Sequence, residues 1–163
     1  MNTITEAILH TPWWAFAIFI ALIFLGYKQS FDRKLSLKRA VILPIVMLIF
    51  SIFSLVSSFG LSFYSFIFWL LGITLSVFIG FNKFSSQITQ INPNLFLIKG
   101  SFLYMALMIG IFFTKYTATY VETRGLEIFN SNIFISALSF MLGGFSGVFL
   151  ARILAIWNLR NKN

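Results

Sequence analysis

Residues 40–82 read AVILPIVMLIFSIFSLVSSFGLSFYSFIFWLLGITLSVFIGFN, without a single charged side chain. As one α-helix this run would be roughly 65 Å long, twice the hydrocarbon thickness of a bilayer at about 30 Å. It must therefore fold back on itself. Lipid offers no partner for a free backbone N–H or C=O, so each half is expected to be a helix. Ser57, Ser58, Gly60 and Ser62 mark the break, which predicts spans over 40–59 and 63–81 joined by a tight turn. Pro44 lies near the start of the first, where proline costs least.

Working outward, 12–27 (PWWAFAIFIALIFLGY) is uncharged and reaches spanning length if it begins near residue 9. Thr11 followed by Pro12 suits a helix start, and Thr3 with Glu6 has capping-box spacing for a short interfacial helix before it. The N-terminus carries Glu6 and lacks a basic n-region, so the first apolar run is expected to stay in the mature protein. Residues 100–121, interrupted only by Lys115, and 132–157, with Arg152 near the end, predict a fourth and a fifth span. Between the third and fourth lies NKFSSQITQINPNLFLIK at 82–99, where Asn92, Pro93 and Asn94 signal a turn. A small hairpin and an interfacial loop are both compatible with it. The whole chain, 1–163, reads as a single transmembrane domain: an all-α integral membrane protein of five transmembrane helices.

Composition agrees. The protein is 59% hydrophobic and 10% charged, with a mean hydropathy of +0.92, whereas soluble domains carry about 25% charged residues. There is no Cys, which excludes disulfides, thiolate metal sites and dithiol-quinone redox chemistry within the chain. His10 is the only histidine, so a multi-histidine metal or haem site is excluded too, and His10 reads as a solvated interfacial imidazole. No cofactor and no metal are expected. The net charge of +8 would suggest nucleic acid in a soluble protein, but here the cations fall between apolar runs and act as a topology signal.

Lys28, Arg33, Lys34, Lys38 and Arg39 follow the first span, Lys83 and Lys99 flank the segment after the third, and Arg160 and Lys162 end the chain. Five spans put these three segments on one side. The positive-inside rule then places the N-terminus outside and the C-terminus in the cytoplasm. Trp13 and Trp14 would anchor the outer interface, Tyr27 and Trp157 the inner one.

Lys115 is the feature that composition does not absorb. By helical rise it lies about 22 Å from the inner start of helix four and 9 Å from its outer end. A lysine at the bilayer centre costs about 2.5–3.5 kcal/mol, less where it snorkels. Thr119 and Glu122 follow at i+4 and i+7 on its face, with Tyr116 alongside, and His10 of helix one is expected at similar depth. One reading is a polar pocket near the outer leaflet formed by Lys115, Tyr116, Thr119, Glu122 and His10, holding an anion, a headgroup or a proton. The plainer reading is a snorkelling lysine paired to Glu122. Arg152 returns to the cytoplasmic interface and reads as a headgroup-binding snorkel.

Small residues recur every four positions: Ser139, Gly143, Gly147, Ala151 and Ala155 on helix five; Ala106, Gly110, Thr114 and Ala118 on helix four; Gly72, Ser76 and Gly80 on helix three. Such stripes let helices approach closely in lipid. Helices four and five are expected to pack through theirs, leaving the remaining stripe for a homodimer. No paired intramembrane carboxylates, HExxH, GxSxG or P-loop occurs, so no catalytic residue is assigned.

HTPWWAFAIFIALIFLGYKQ at 10–29, LSLKRAVILPIVML at 35–48, IKGSF at 98–102 and FFTKY at 112–116 resemble an uncharacterised family of small multi-helix bacterial inner-membrane proteins, a domain of unknown function. The resemblance implies a bacterial plasma-membrane location and carries over no catalytic or binding residue. The expected partners are the lipid bilayer and another membrane protein, with no nucleic acid. The expected role is that of a non-enzymatic accessory or scaffold protein. A small oligomeric permease or channel for an anion or proton, built around Lys115, is the alternative.

Overall fold

The computed structural model describes residues 13–60, 62–92 and 94–161. In chain order these form α1 (Trp13–Gln29), β1 (Arg33–Ser36), α2 (Leu37–Phe59), α3 (Phe63–Ser85), β2 (Ile88–Asn92), β3 (Leu95–Ile98), α4 (Phe102–Thr123), a 3-10 turn (Glu127–Asn130) and α5 (Asn132–Asn161). Four helices, α2 to α5, are long and apolar enough to cross a membrane, and α1 is apolar but shorter. The start of the first expected span, 9–12, lies outside the described residues, as do Thr3 and Glu6. The chain is thus a multi-pass membrane protein. Its helix surfaces agree, with Phe53, Phe63, Phe78, Ile79 and Ile133 all exposed.

The turn expected near Gly60 is present. Gly60 adopts φ 64 and ψ −164 as its N–H bonds the Val56 carbonyl, a backbone region essentially reserved for glycine. α2 starts earlier than position 40, so Pro44 sits inside the helix and removes one intrahelical bond. Ser101 caps α4, its hydroxyl accepting the Leu103 N–H at 3.2 Å.

Packing differs from expectation in one respect. The stripe on helix five seats on helix three. A Cβ added at Gly143 would strike the Trp69 carbonyl oxygen, one at Gly147 would lie 2.7 Å from the Ile73 oxygen, and one at Gly72 would strike the Phe140 oxygen. These backbones are already in contact, and their matched positions rise together along both chains, so α3 and α5 run parallel. The reason is complementarity: α3 offers a second stripe, Gly72, Ser76 and Gly80, at the same spacing, and two grooves of small residues approach more closely than one can alone. α4 meets α5 through a side chain instead, since a Cβ on Gly110 would stand 2.9 Å from the Phe145 ring. Ala151 is fully buried and would lie 3.3 Å from a Cβ at Gly80. α2 is tied to this pair where Trp69 Nε1 donates to Ser51 Oγ at 2.9 Å and Ser51 Oγ donates to the Leu142 carbonyl at 3.2 Å. α1 lies antiparallel to α4, with Phe19 on Phe112 at 5.0 Å between ring centroids and Gly26 against Met105.

The segment that the sequence left open is a hairpin, and β1 completes it into a three-stranded antiparallel sheet of order β1-β3-β2. Arg33 pairs with Ile98, Lys34 with Leu97 and Leu35 with Phe96, while Ile88 pairs with Ile98 and Gln90 with Phe96 across a bulge before Asn92. Paired residues share a face. Phe96, Ile98 and Ile88 are buried, so Arg33 and Leu35 are on that inner face as well, and Lys34 is on the outer one. The inner face closes one end of the helix bundle over Phe84, Tyr104, Phe149 and Ile156, which belong to the same core. Two loops that the sequence presents as separate basic segments are thereby one folded cap.

Candidate functional site

Lys115 stands on α4 level with the last turn of α2, and its ammonium donates to two hydroxyls there, Ser57 Oγ and Ser58 Oγ, each at 2.7 Å. Ser57 in turn donates to the Ser54 carbonyl at 3.3 Å. The final carbonyls of a helix lack intrahelical partners and carry a partial negative charge, so a cation is favoured at this position. Glu122 is exposed at the C-terminal end of α4, and the hydroxyls of Ser57 and Ser58, not the carboxylate of the plainer reading, are the groups that accept from the ammonium.

Tyr116, Thr119 and Glu122 lie on the same helix as Lys115. Tyr116 stacks on Phe112, with centroids 6.3 Å apart and planes inclined 17°, on the side facing α1. Thr119 is exposed, and its carbonyl accepts the Thr123 hydroxyl at 2.8 Å. His10 lies outside the described residues. What the structure gathers is thus an ammonium held by a helix end, with Thr119 and Glu122 exposed one and two turns further along the same face of α4. Among the described residues no group of three His, Cys, Asp or Glu is placed to hold a metal ion.

A second polar cluster lies at the sheet end, and sequence reading missed it. Arg152 is not a snorkelling side chain: it is 4% exposed. Its Nη1 donates to Gln29 Oε1 at 3.0 Å, and its Cζ stands 4.1 Å from the Tyr104 ring centroid, a cation–π contact within the usual range. Gln29, at the end of α1, is itself 2% exposed. Arg33 reaches the same place from the inner face of β1; burial pushes its guanidinium below the ordinary arginine range and the Arg152 charge adds to this, while Tyr104 opposes. The one acid in this part of the chain, Asp32, is engaged otherwise, accepting the Gly100 N–H at 2.7 Å.

The signals for this cluster were faint. Arg152 is the only charge between residues 132 and 157, and Gln29 one amide at the end of an apolar run. Arg33 is indistinguishable from its basic neighbours until β1 pairs with β3 and turns it inward.

The chain belongs to the family of unknown function DUF6622, whose profile matches residues 2–162. No curated protein and no solved structure shows significant similarity to it.

Proposed function

We propose that the chain is a non-enzymatic accessory or scaffold protein of the bacterial plasma membrane, with five spans, the N-terminus outside and the sheet end in the cytoplasm. One observation carries this reading: polar side chains in the bundle join helices to one another. Lys115 ties α4 to α2, Trp69 and Ser51 tie α3 and α2 to α5, and Arg152 ties α5 to α1. Bonds of this kind fix a bundle's shape, and a fixed bundle with apolar flanks is suited to present those flanks to another membrane protein. The bacterial setting rests on the resemblance of the short motifs, and the orientation on the basic loops.

The test is photocrosslinking in living membranes from Phe78, which is 81% exposed on α3, together with reconstitution of the purified chain into liposomes. A discrete heteromeric adduct, with chloride and proton flux no higher than in empty vesicles, is expected. Flux above that background, with lipid adducts alone, would replace this reading by the permease.

A further inference from the structure

Among the described residues the sheet-end cluster is rich in donors and short of acceptors. Gln29 Oε1 accepts from Arg152, which fixes the orientation of the amide: flipped, its NH2 would face a guanidinium that can only donate. So the Gln29 Nε2 group points the other way, and there it is buried without a partner. Arg33 Nε is likewise buried and unpartnered. Two guanidiniums share the place, the aromatic contact of Arg152 supplies no counter-charge, and the Asp32 carboxylate bonds Gly100 instead. Buried donors are ordinarily satisfied, and adjacent buried like charges are ordinarily compensated.

We propose that Gln29, Arg33 and Arg152 form a binding site for a phosphate-class anion at the sheet end of the bundle. A tetrahedral oxyanion presents several acceptor oxygens at once, and guanidiniums bind such oxygens through paired N–H bonds. Arg33 offers the guanidinium nearer the surface, and Arg152 with Gln29 forms the floor. The cluster sits where β1 meets the ends of α1 and α4, at the height where a lipid phosphate meets a spanning helix. The chemistry is shared by an anionic phospholipid headgroup and by free phosphate. The inference concerns this site alone and holds whether the bundle acts as scaffold or permease.

The experiment uses the purified full-length chain in mild detergent, titrated with phosphatidylglycerol, with phosphatidylcholine, and with inorganic phosphate. Native mass spectrometry reads bound ligand and tryptophan fluorescence reads thermal stability. Arg33→Gln is the main variant because Arg33 is partly exposed and its loss does not empty the core. Arg152→Met is the second, and Lys34→Gln on the outer face of the same strand is the charge-matched control. Binding of phosphatidylglycerol that weakens about tenfold or more in Arg33→Gln and Arg152→Met, but under about twofold in Lys34→Gln, is the expected result for a lipid headgroup. The same pattern with inorganic phosphate would identify a free anion as the occupant. Equal weakening by Lys34→Gln and Arg33→Gln would overturn the site in favour of diffuse attraction to a basic surface. Stability of wild type and Arg33→Gln that responds identically to all three additions would overturn it as well. If Arg152→Met does not fold, the comparison of Arg33→Gln with Lys34→Gln decides alone.

Discussion

Replacing Gly143 by alanine should destabilise the protein, whereas the same change one residue later should not. In an isolated helix each would be favourable by up to about 1 kcal/mol, because alanine is the better helix former. The surroundings set them apart. A Cβ on residue 143 would stand 2.8 Å from the Trp69 carbonyl carbon and 2.9 Å from its Cα, and closer still to its oxygen; a Cβ on residue 144 meets only Ser76 Oγ, at 3.5 Å. The first set is backbone and cannot swing aside, so α3 and α5 must part by roughly an ångström, and a gap of that size forfeits about a quarter to a half of the contact attraction along the seam. Overpacking of this kind costs about 1–3 kcal/mol. Set against the propensity gain, Gly143→Ala should lose up to about 2 kcal/mol, and Gly144→Ala should be neutral or gain up to about 1 kcal/mol. Equilibrium unfolding in mixed micelles, followed by tryptophan fluorescence, measures both, with Trp69 at the contact as a reporter. Shifts of the same sign and size in the two variants would show that α3 and α5 are not in backbone contact.

Three further outcomes are expected. Trp69→Phe should cost roughly 1–2 kcal/mol in the same unfolding assay, because it removes the indole donor to Ser51 while Ser51 keeps Leu142; a neutral result would remove that bond from the fold. Lys115→Met should change stability by no more than about 1 kcal/mol, since the two bonds lost are offset by an ammonium that no longer has to be desolvated and by serines that can bond back to α2 carbonyls; a loss above about 3 kcal/mol would mean that the ammonium neutralises a buried anion. With no native cysteine, Ser131→Cys should react with an impermeant thiol reagent from outside intact cells and Ser86→Cys, exposed at the sheet end, only after permeabilisation; the reverse pattern would invert the orientation.

The long helices were legible because lipid imposes one rule on every residue of a span: runs free of charge must be helix, and a run twice the bilayer thickness must turn. Gly60 announced that turn by the same logic. Stripes of small residues announced close approach but not its partner, since spacing every four positions is a property of one helix and pairing is a property of two. The sheet was hidden for a related reason. β1 has four residues and its partners lie about sixty positions along the chain, so neither strand carries enough alternation to be read alone. Without that pairing Arg33 has no inner face to occupy, Arg152 reads as a snorkel, and the cluster joining them does not exist in the sequence. Lys115 was legible as an anomaly and not as a contact, because the serines that hold it earn their meaning only from the end of a neighbouring helix.

The strand order β1-β3-β2 also constrains how the molecule can be made. The central strand is the last of the three to be synthesised, so β1 waits, unpaired, while α2, α3 and β2 are translated and inserted. Until residue 98 has left the ribosome the edge of Arg33–Ser36 has no ladder to join, and the first helices have no cap at their shared end. A nascent chain stopped before Leu95 would thus carry two orphan strand edges, a surface open to pairing with other chains, whereas one stopped soon after Ile98 could already close them. The cap therefore closes only once its four-residue central strand has been made.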